Sequence, residues 1–390
     1  MNATAGPCIG ILGGGQLARM LALAGAPLGV RFVVLDSAAD ACAGDVAPLI
    51  VADWRDAAAL AELAGRADVA TFDFENVPAE TLSALGDRLP VFPNPRALAV
   101  SQDRMAEKAM FAEVGLDTAE HAAVASRAEL DRALDQVGAP AILKTRRLGY
   151  DGKGQYRLRS ADDADAAWAA LGAQAEVHGL VLEAFVPFDC ELSVVAVRGR
   201  DGDFRSWPLT RNWHADGILS LSLAPAEVAP AIARQALERA RALAERLDYV
   251  GVFALELFVV GQRLLGNEMA PRVHNSGHWT IEGALTSQFE NHVRAVLGWP
   301  LGATGADGAS LMFNWIGELP PSAPLLALPD AHWHDYGKAA RPGRKLGHAT
   351  LRAADADSLR ARVRQAAQAL DCEDKIAPLA AWLDNGMGHG

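Results

Sequence analysis

A glycine-rich segment preceded by a lysine is the part of the chain best suited to bind a charged ligand. It reads Gly149-Tyr150-Asp151-Gly152-Lys153-Gly154-Gln155, and Lys144 stands before it at the end of an apolar run. Three glycines let the backbone approach a ligand closely and direct several N–H groups at one anion. With the charges of Lys144 and Lys153, the segment predicts a polyphosphate-binding loop between two strands. A surface hairpin with incidental charge is the alternative.

This loop does not follow the Walker A pattern. No glycine stands five residues before Gly152, and neither serine nor threonine follows Lys153. A polyphosphate site here would therefore belong to a different class of nucleotide-binding protein.

Two glutamates interrupt neighbouring apolar runs in the second half of the chain. Glu256 lies within residues 251–260, and Glu268 closes the run 264–268. We predict a strand hairpin with the three-residue loop 261–263. Its register places the two glutamates directly opposite each other, where Cβ atoms are about 5 Å apart and like charges are destabilising.

Two carboxylates in an apolar strand pair require a proton, a cation or a guanidinium group. Mg²⁺ fits this requirement, because it prefers oxygen ligands together with substrate phosphates. Glu256 and Glu268 are therefore the candidate metal ligands, and Asn267 could add another oxygen. The alternative is that Arg272 alone neutralises both carboxylates.

A polar segment follows the second glutamate and contains Arg272, His274, Asn275 and His278. Arginine offers a forked donor, and His274 and Asn275 offer single donors, so the segment could hold a small oxyanion. His274 and His278 are four residues apart, which leaves a zinc pair on a helix as an alternative.

The first hundred residues alternate between strand-like and helix-like patterns. Three runs are typical of strands: 9–12, 31–36 and 69–73. Glycines 13–15 precede a helix predicted over 16–24, so this region is expected to be Rossmann-like, with ligands at the carboxyl ends of the strands. Gly13-x-Gly15-x-x-Ala18 followed by Asp36 also fits a dinucleotide fingerprint, which makes a nicotinamide-dependent oxidoreductase an alternative.

The segment after the first hundred residues is expected to lead into a helix. Residues 94–96 are expected to form a linker, and Ser101 is expected to cap a helix that continues through Phe111.

Near the end of the chain, four basic residues surround a Pro342-Gly343 turn: Lys338, Arg341, Arg344 and Lys345. A phosphate site would explain this cluster in an acidic chain, and a solvated charged face is the alternative.

Together these segments resemble the ATP-grasp superfamily and, within it, more closely the family of 5-(carboxyamino)imidazole ribonucleotide synthetases. The resemblance is carried by residues 13–20, 149–155, 267–279 and 341–348, in the family's order. It implies a mixture of α/β and α+β structure: an ATP-grasp fold with an N-terminal Rossmann-like (pre-ATP-grasp) domain and a small C-terminal β-rich region.

The implied domains are a Rossmann-like substrate-binding domain (1–97), a small ATP-grasp lobe with the glycine-rich lid (98–178), a large lobe with the metal site (179–299) and a C-terminal substrate-binding region (300–390).

The resemblance also implies the nucleotide site. ATP would be bound by Arg104, Lys144, Gly149, Tyr150, Asp151, Gly152, Lys153, Gly154, Gln155, Glu183, Ala184, Phe185, Val186, Glu191, His214, Asn267 and Glu268. Among these, residues 183–186 would meet adenine, and Glu191 would bond the ribose hydroxyls. Mg²⁺ would be bound by Glu256 and Glu268.

The implied acceptor is 5-aminoimidazole ribonucleotide, with bicarbonate as the second small substrate. The ribonucleotide would be bound by Gly15, Gln16, Leu17, Glu75, Asp151, Arg272, Lys338 and Arg344. The residues with implied catalytic roles are Tyr150, Lys153, Arg272, His274 and Asn275.

The implied activity is the ATP-dependent carboxylation of that ribonucleotide through carboxyphosphate, in purine biosynthesis. Alternatives within the superfamily are a formate-dependent glycinamide ribonucleotide transformylase and a biotin carboxylase-like subunit. A regulatory nucleotide-binding protein is less consistent with the chain, because Glu256, Asn267, Glu268 and Arg272 are all present.

Composition is that of a soluble enzyme. The chain has 390 residues, enough for two or three domains, and a net charge of −12, which argues against nucleic acid or an anionic membrane as a partner. Its four cysteines are widely spaced, as expected for reduced thiols in the cytoplasm. We expect no signal peptide and no membrane span. The resemblance implies a homodimer.

Overall fold

The computed structural model describes residues 6–149 and 154–384. Expectations for Tyr150, Asp151, Gly152 and Lys153 therefore lie outside the described residues. Within these ranges the strands form three sheets, which we call the N-terminal sheet, the small sheet and the large sheet.

The N-terminal sheet is parallel, with strand order β3-β2-β1-β4. Its region comprises β1 (Cys8–Leu12), α1 (Gln16–Gly25), β2 (Arg31–Asp36), β3 (Leu49–Val51), α2 (Ala57–Arg66), β4 (Val69–Phe72), α3 (Ala79–Gly86) and α4 (Pro95–Ser101). The predicted Rossmann-like alternation is confirmed. The predicted linker at 94–96 is wrong, because the Asn94 side chain accepts from the Ala97 N–H and Pro95 is the first residue of α4.

The small sheet is antiparallel, with strand order β5-β8-β6-β7. Its region comprises α5 (Arg104–Glu113), β5 (His121–Val124), α6 (Arg127–Val137), β6 (Ala141–Thr145), β7 (Gln155–Leu158), α7 (Ala164–His178) and β8 (Leu180–Ala184). The prediction that Ser101 caps α5 is wrong. Ser101 ends α4, and the Asp103 carboxylate caps α5 by accepting from the N–H groups of Met105 and Ala106.

The large sheet is antiparallel and runs in the order β14-β13-β9-β11-β12-β15-β17-β16, with β10 also paired to β9. Its region begins with β9 (Cys190–Arg198), β10 (Phe204–Ser206), β11 (Thr210–Ala215), β12 (Ile218–Ala224), α8 (Pro230–Arg246), β13 (Gly251–Val260), β14 (Arg263–Ala270), α9 (Thr280–Gly283) and α10 (Gln288–Leu297). It continues with β15 (Ala309–Ile316), α11 (Ser322–Leu326), β16 (Ala331–Asp335), β17 (Lys345–Ala353), α12 (Ala356–Ala369), α13 (Glu373–Ile376) and α14 (Ala380–Asp384). The strands after residue 300 thus extend the same sheet that carries the two glutamates.

The N-terminal and large-sheet regions share a core. Helix α1 packs against α10 in one hydrophobic cluster with residues of β1, β9 and β13. The Thr71 hydroxyl of β4 is 2.8 Å from His292 Nε2 of α10. This shared core fixes the carboxyl ends of the N-terminal strands relative to the large sheet. Among residues 6–149 and 154–384, no helix is long and apolar enough to cross a membrane.

Candidate nucleotide and carboxyl-transfer site

The two glutamates face each other across the hairpin formed by β13 and β14. The predicted pairing of Glu256 with Glu268 is confirmed, but the predicted three-residue loop is wrong. Val260 pairs with Arg263, so the turn has two residues, and Asn267 is an extra residue in β14 at a register shift between Glu256 and Leu257. The bulge at Asn267 therefore restores the alignment that the shorter turn would have displaced.

Glu256 is 7% exposed. Burial and the neighbouring Glu268 carboxylate raise the pKa of Glu256 to about 8, although His214 opposes this shift. The guanidinium of Arg104 lies 3.6 Å from Glu268 Oε2. The hypothesis that Arg272 neutralises this pair is wrong, because Arg272 instead forms a 2.7 Å ion pair with Glu75.

A third carboxyl group, which the sequence did not single out, borders the pair. Glu107 on α5 is 2% exposed and accepts a 2.6 Å hydrogen bond from the Met269 N–H. Burial and the nearby Glu268 raise the pKa of Glu107 to about 8. The region around Glu268 is thus an acidic site that favours a cation.

The residues present fit a magnesium ion that is completed by substrate oxygens. No group of three or more His, Cys, Asp or Glu side chains in the described parts of the chain has the arrangement of a metal site. Mg²⁺ is commonly held by one or two carboxylates plus phosphates and water. The opposed carboxyls, with the pKa of Glu256 raised by burial and by Glu268, form a site of that kind.

Glu191 and His214 lie beside the pair. The His214 Nδ1 atom forms an ion pair with Glu191 Oε2, and hydrogen bonding to Glu191 helps raise the pKa of His214 against the opposing effect of burial. A small cleft joins these residues to Glu256 and Asn267; its lining residues are Glu191, Leu192, Asn212, His214, Glu256, Leu257, Phe258 and Asn267. The structure therefore brings the expected ribose and metal residues together.

Glu183 lies between two lysines at the end of β8. Lys144 Nζ donates to Glu183 Oε2 at 2.8 Å, and Lys108 Nζ is 3.1 Å from Oε1. Burial would raise the pKa of Glu183, but Lys144 and Lys108 together lower it to about 2. Lys108, which is 3% exposed, was not predicted. Its position four residues after Arg104 on one helix face was the available signal.

Ala184, Phe185 and Val186, the other residues expected to meet adenine, follow Glu183 directly. The Ala184 N–H donates to Glu120 O at 2.8 Å, and the Phe185 N–H donates to Pro140 O at 2.9 Å. The guanidinium of Arg157 covers the Phe185 ring at 4.3 Å. These contacts hold Ala184 and Phe185 against the region of the small sheet, and Val186 follows them in the connection to β9.

The described ends of the glycine-rich segment are held by strand pairing. Lys144 pairs with Gln155 across β6 and β7, which confirms the two strands predicted on either side of the segment. The Thr145 N–H donates to the Gly154 carbonyl at 2.8 Å, and Gly154 has φ +68°. Gly149 ends the described part on the other side.

The base of the segment is also tied to α5. Arg146 donates to both carboxylate oxygens of Asp103, at 2.9 and 2.7 Å, and Arg147 donates to the same group at 3.2 Å. Hydrogen bonds from Arg146 outweigh burial and lower the pKa of Asp103. Asp103 therefore connects the helix that carries Arg104 to the strand that carries Lys144.

His274 and Asn275 lie in a turn next to Glu256. His274 Nε2 is 3.6 Å from Glu256 Oε1, and its Nδ1 accepts a 3.3 Å hydrogen bond from the Ser276 N–H. Burial, with the positive charge of Arg272 nearby, lowers the pKa of His274 well below its usual value. The ring is therefore neutral, with its proton on Nε2.

Asn275 is 7% exposed, and neither its amide nitrogen nor its amide oxygen has a hydrogen-bond partner among the described residues. A buried amide without partners costs free energy unless a ligand satisfies it. The helical zinc pair is not what the structure shows, because His274 precedes a short 3₁₀ turn and His278 contacts Gln288 at 3.1 Å.

The glycine turn before α1 encloses one of the protein's own carboxylates. The N–H groups of Gly15 and Ala18 donate to Asp73, the latter at 3.2 Å. A Cβ on Gly13 would lie 1.9 Å from Asp73 Oδ1, which explains the glycine at φ +96°. Burial raises the pKa of Asp73 to about 6, against the opposing effect of these hydrogen bonds.

Asp36 does not present a free carboxylate for a dinucleotide ribose. Its Oδ2 accepts from the Gly14 N–H at 2.6 Å, and its Oδ1 accepts from the Ala38 N–H at 2.8 Å. Both oxygens thus stabilise the turn itself. This arrangement disfavours the nicotinamide alternative.

The basic C-terminal cluster reaches the N-terminal domain. Lys338 Nζ donates to the side-chain oxygen of Gln16, at the start of α1 beside Leu17. The predicted turn at Pro342-Gly343 reverses the chain direction before Arg344. The Arg344 guanidinium donates a 3.1 Å hydrogen bond to Ala339 O. The structure therefore brings Lys338 to the glycine turn.

Family models match successive regions of the chain. A ribonucleotide synthetase preATP-grasp domain matches residues 7–102, an ATP-grasp domain matches 109–289, and a phosphoribosylaminoimidazole carboxylase C-terminal domain matches 310–362. The fold and the site thus define an ATP-grasp protein, as the sequence predicted.

Individual relatives identify a particular family among the ATP-grasp proteins. Over 358 residues the chain is 53% identical to the N5-carboxyaminoimidazole ribonucleotide synthase of Pseudomonas aeruginosa, covering 92% of this chain and 98% of the relative. It is similar to the crystal structure of N5-carboxyaminoimidazole ribonucleotide synthetase from Thermus thermophilus, with a TM-score of 0.88, 52% identity and coverage of 93% and 98% of the two chains. The chain belongs to the N5-carboxyaminoimidazole ribonucleotide synthase family.

A further relative was solved with ligands. The crystal structure of N5-carboxyaminoimidazole synthase from Aspergillus clavatus, in complex with ADP and 5-aminoimidazole ribonucleotide, has a TM-score of 0.82 and 31% identity. The match covers 98% of this chain and 99% of that chain.

Proposed function

We propose that this protein carboxylates the amino group of 5-aminoimidazole ribonucleotide, using ATP and bicarbonate and releasing ADP and phosphate. The observation that carries the proposal is the proximity of an acidic cation site to a turn with an unpartnered amide. Glu256 is opposite Glu268 and 3.6 Å from His274, which precedes Asn275. Phosphoryl transfer and carboxyl transfer need such neighbouring sites, because the activated intermediate must meet its acceptor before water does.

Bicarbonate is a poor electrophile, so an oxygen of bicarbonate first attacks the γ-phosphorus of ATP and ADP leaves. The amine of the ribonucleotide then attacks the carboxyl carbon, either of carboxyphosphate itself or of the CO₂ that carboxyphosphate releases; phosphate leaves, and the amine loses a proton. We assign ATP phosphate contacts to Arg104 and Lys144, with Lys153 of the glycine-rich loop as a further cation. Bound Mg²⁺, held by Glu256 and Glu268, would neutralise charge on the β- and γ-phosphates.

We assign the carboxyl group to Arg272, His274 and Asn275. The neutral ring of His274 carries its proton on Nε2 and can donate to a carboxyl oxygen. The free amide of Asn275 can donate to a carboxyl oxygen through nitrogen and accept from the attacking amine through oxygen. The Glu75 carboxylate fixes Arg272 at 2.7 Å and thereby orients its guanidinium.

We assign the phosphate of the ribonucleotide to Gln16, Lys338 and Arg344, next to the backbone of Gly15 and Leu17. The bond between Lys338 and Gln16 supports this assignment, because it places an ammonium group at the glycine turn. Tyr150 and Asp151 would complete the site from the loop. The nucleotide base would lie at residues 183–186, where ion pairs with Lys144 and Lys108 hold the Glu183 carboxylate in place.

The family resemblance further supports a homodimer in the cytoplasm. Sedimentation velocity of the purified chain tests the dimer, and a species of one chain's mass, 41.2 kDa, would contradict it.

The proposed reaction is tested with isotopically labelled bicarbonate and magnesium ATP. Label should enter 5-aminoimidazole ribonucleotide. Separate reactions contain an alternative acceptor instead, either glycinamide ribonucleotide with formate or biotin with bicarbonate. Turnover of either one without turnover of the imidazole substrate would contradict the proposal.

A further inference from the structure

A buried cluster of aromatic polar side chains lies outside the residues assigned above. We call it the histidine cluster and define it as His278, His334, His348 and Tyr336. His348 on β17 is directly opposite His334 on β16, and their rings stack at 4.2 Å with an interplanar angle of 7°. The His278 ring centroid lies 4.8 Å from that of His348. His278, His348 and Tyr336 are each 2% exposed or less.

Two imidazoles of the cluster, those of His278 and His348, are held toward the neutral form. Burial, together with the other histidines of the cluster, lowers the pKa of both well below the usual value. His334 Nε2 is paired at 2.6 Å with the Glu282 carboxylate at the edge of the cluster. Burying these polar groups costs free energy that an apolar core would avoid. Their specific contacts therefore call for a functional explanation.

One end of the cluster leads to Lys338. The Tyr336 hydroxyl is 2.8 Å from His348 Nδ1, and the Tyr336 N–H donates to Leu346 O at 3.0 Å. Gly337, with φ +70°, then turns the chain so that Lys338 reaches Gln16. Tyr336 is thus the last anchored side chain before the proposed phosphate-binding lysine.

The other end leads to the carboxyl-transfer turn. His278 Nδ1 is 3.1 Å from Gln288 Nε2. The same Gln288 side chain accepts from the His274 N–H at 2.9 Å and donates to His274 O at 2.7 Å. Gln288 therefore fixes the backbone of the turn that presents His274 and Asn275.

We propose that Tyr336, His348 and His278 are positioning residues that set the separation between Lys338 and the His274–Asn275 turn. The inference rests on the proposed function, in which Lys338 holds the phosphate end of the ribonucleotide and the turn holds the reacting carboxyl group. A substrate held at both ends reacts only when the separation of its two binding groups matches its length, and small displacements lower the rate strongly. The continuous contacts from Lys338 to His274 supply that fixed separation.

Tyr336→Phe is the central test, because it removes the hydroxyl and keeps the ring. Tyr249→Phe is the matched control: Tyr249 is also fully buried, and its hydroxyl donates to Val252 O at 2.8 Å. We expect both variants to lose similar thermal stability. We expect Tyr336→Phe alone to raise KM for 5-aminoimidazole ribonucleotide about tenfold, as loss of about one hydrogen bond would, with KM for ATP unchanged. It should also release phosphate in excess of carboxylated product.

His348→Phe and the double variant complete the test. His348→Phe keeps the stacking and should reproduce the KM effect of Tyr336→Phe, and the double variant should be no worse than either single variant. Additive effects, equal changes in both KM values, or a wild-type KM in Tyr336→Phe would overturn the positioning role while leaving the proposed function intact. A wild-type protein that does not carboxylate the ribonucleotide would overturn both.

Discussion

Glu256 and Glu268 are directly opposed on β13 and β14, although the turn between the strands is too short to align them by itself. The two-residue turn alone would place Glu256 opposite Asn267, and the bulge shifts Glu268 into that position. Bulges often redirect side chains next to active sites. Burial and the opposed Glu268 carboxylate raise the pKa of Glu256, and a bound dication would remove the repulsion between the two carboxylates.

Glu268→Gln should abolish magnesium-dependent turnover and leave the fold intact. The substitution removes one of the two charges that would hold the metal while keeping the shape of the side chain. Steady-state ATP cleavage over a range of Mg²⁺ concentrations measures the effect, and circular dichroism checks the fold. Glu238→Gln, at an exposed position of α8, is the control. A near-normal kcat in Glu268→Gln would remove Glu268 from the metal site.

Asn275→Ala should separate stability from activity. Because the buried amide has no partner within the described residues, its removal costs no hydrogen bond there and can relieve about 1 kcal/mol of desolvation, offset in part by the smaller side chain. The free energy of unfolding in urea should change little, whereas carboxylated product should fall at least about 100-fold. A variant with normal carboxylation would show that the amide does not face the substrate.

Lys338→Ala should raise KM for 5-aminoimidazole ribonucleotide far more than KM for ATP. A charged hydrogen bond to phosphate contributes about 1.5–3 kcal/mol, which corresponds to a change of about 10- to 100-fold. Initial rates with each substrate varied in turn give both constants. An equal increase in the two constants would move Lys338 out of the phosphate site.

Lys108→Met should destabilise the protein as well as weaken ATP binding. It leaves the buried Glu183 carboxylate with Lys144 as its remaining lysine partner within the described residues, and breaking a buried ion pair costs about 3–5 kcal/mol. Urea unfolding measures this loss. Lys375→Met is the control, because Lys375 Nζ lies 3.2 Å from the Ser220 hydroxyl rather than beside a carboxylate. An equal decrease in the free energy of unfolding in the two variants would show that the ion pair of Lys108 with Glu183 does not add to stability.

His292 should make the fold sensitive to acid. Its Nδ1 accepts from the Val252 N–H at 3.1 Å, so protonation would place two donors face to face. Burial lowers the pKa of His292 to about 3. An unfolded histidine has a pKa of about 6.5. Between that pH and about pH 3, the unfolded chain binds a proton that the folded chain does not. The free energy of unfolding therefore falls as the pH falls through this range.

The expected slope from His292 is at most about 1.4 kcal/mol per pH unit. His292→Gln, which keeps an acceptor and a donor without a titrating ring, should lose that part of the slope between about pH 4.5 and 6 in urea titrations. An unchanged slope would mean that His292 is not the group that takes up the proton.

The local pattern of apolar and polar residues was sufficient to predict the strands that carry the site. The apolar run around Glu256 indicated β13 to the residue, and the glycine-rich segment indicated β6 and β7. The pairing of Glu256 with Glu268 was predicted correctly from an incorrect loop, because the shorter turn and the bulge compensate each other. Such compensation is invisible to a count of residues between two strands.

Contacts between distant segments could not be predicted from the same patterns. Asp73 lies 58 residues beyond Gly15, and its position against that turn depends on how β4 aligns with β1. The capping role of Asp103 was missed because Ser101 is also a good capping residue, and only the path of the chain from α4 decides between them. The histidine cluster joins three chain segments through the large sheet.

Phosphate release from magnesium ATP in the presence of bicarbonate, with and without 5-aminoimidazole ribonucleotide, tests the central claim most directly. We predict that the ribonucleotide strongly accelerates phosphate release and that one carboxylated product forms for each phosphate. Phosphate release that is absent, or that proceeds at the same rate without the ribonucleotide, would contradict the assignment of this site to carboxyl transfer.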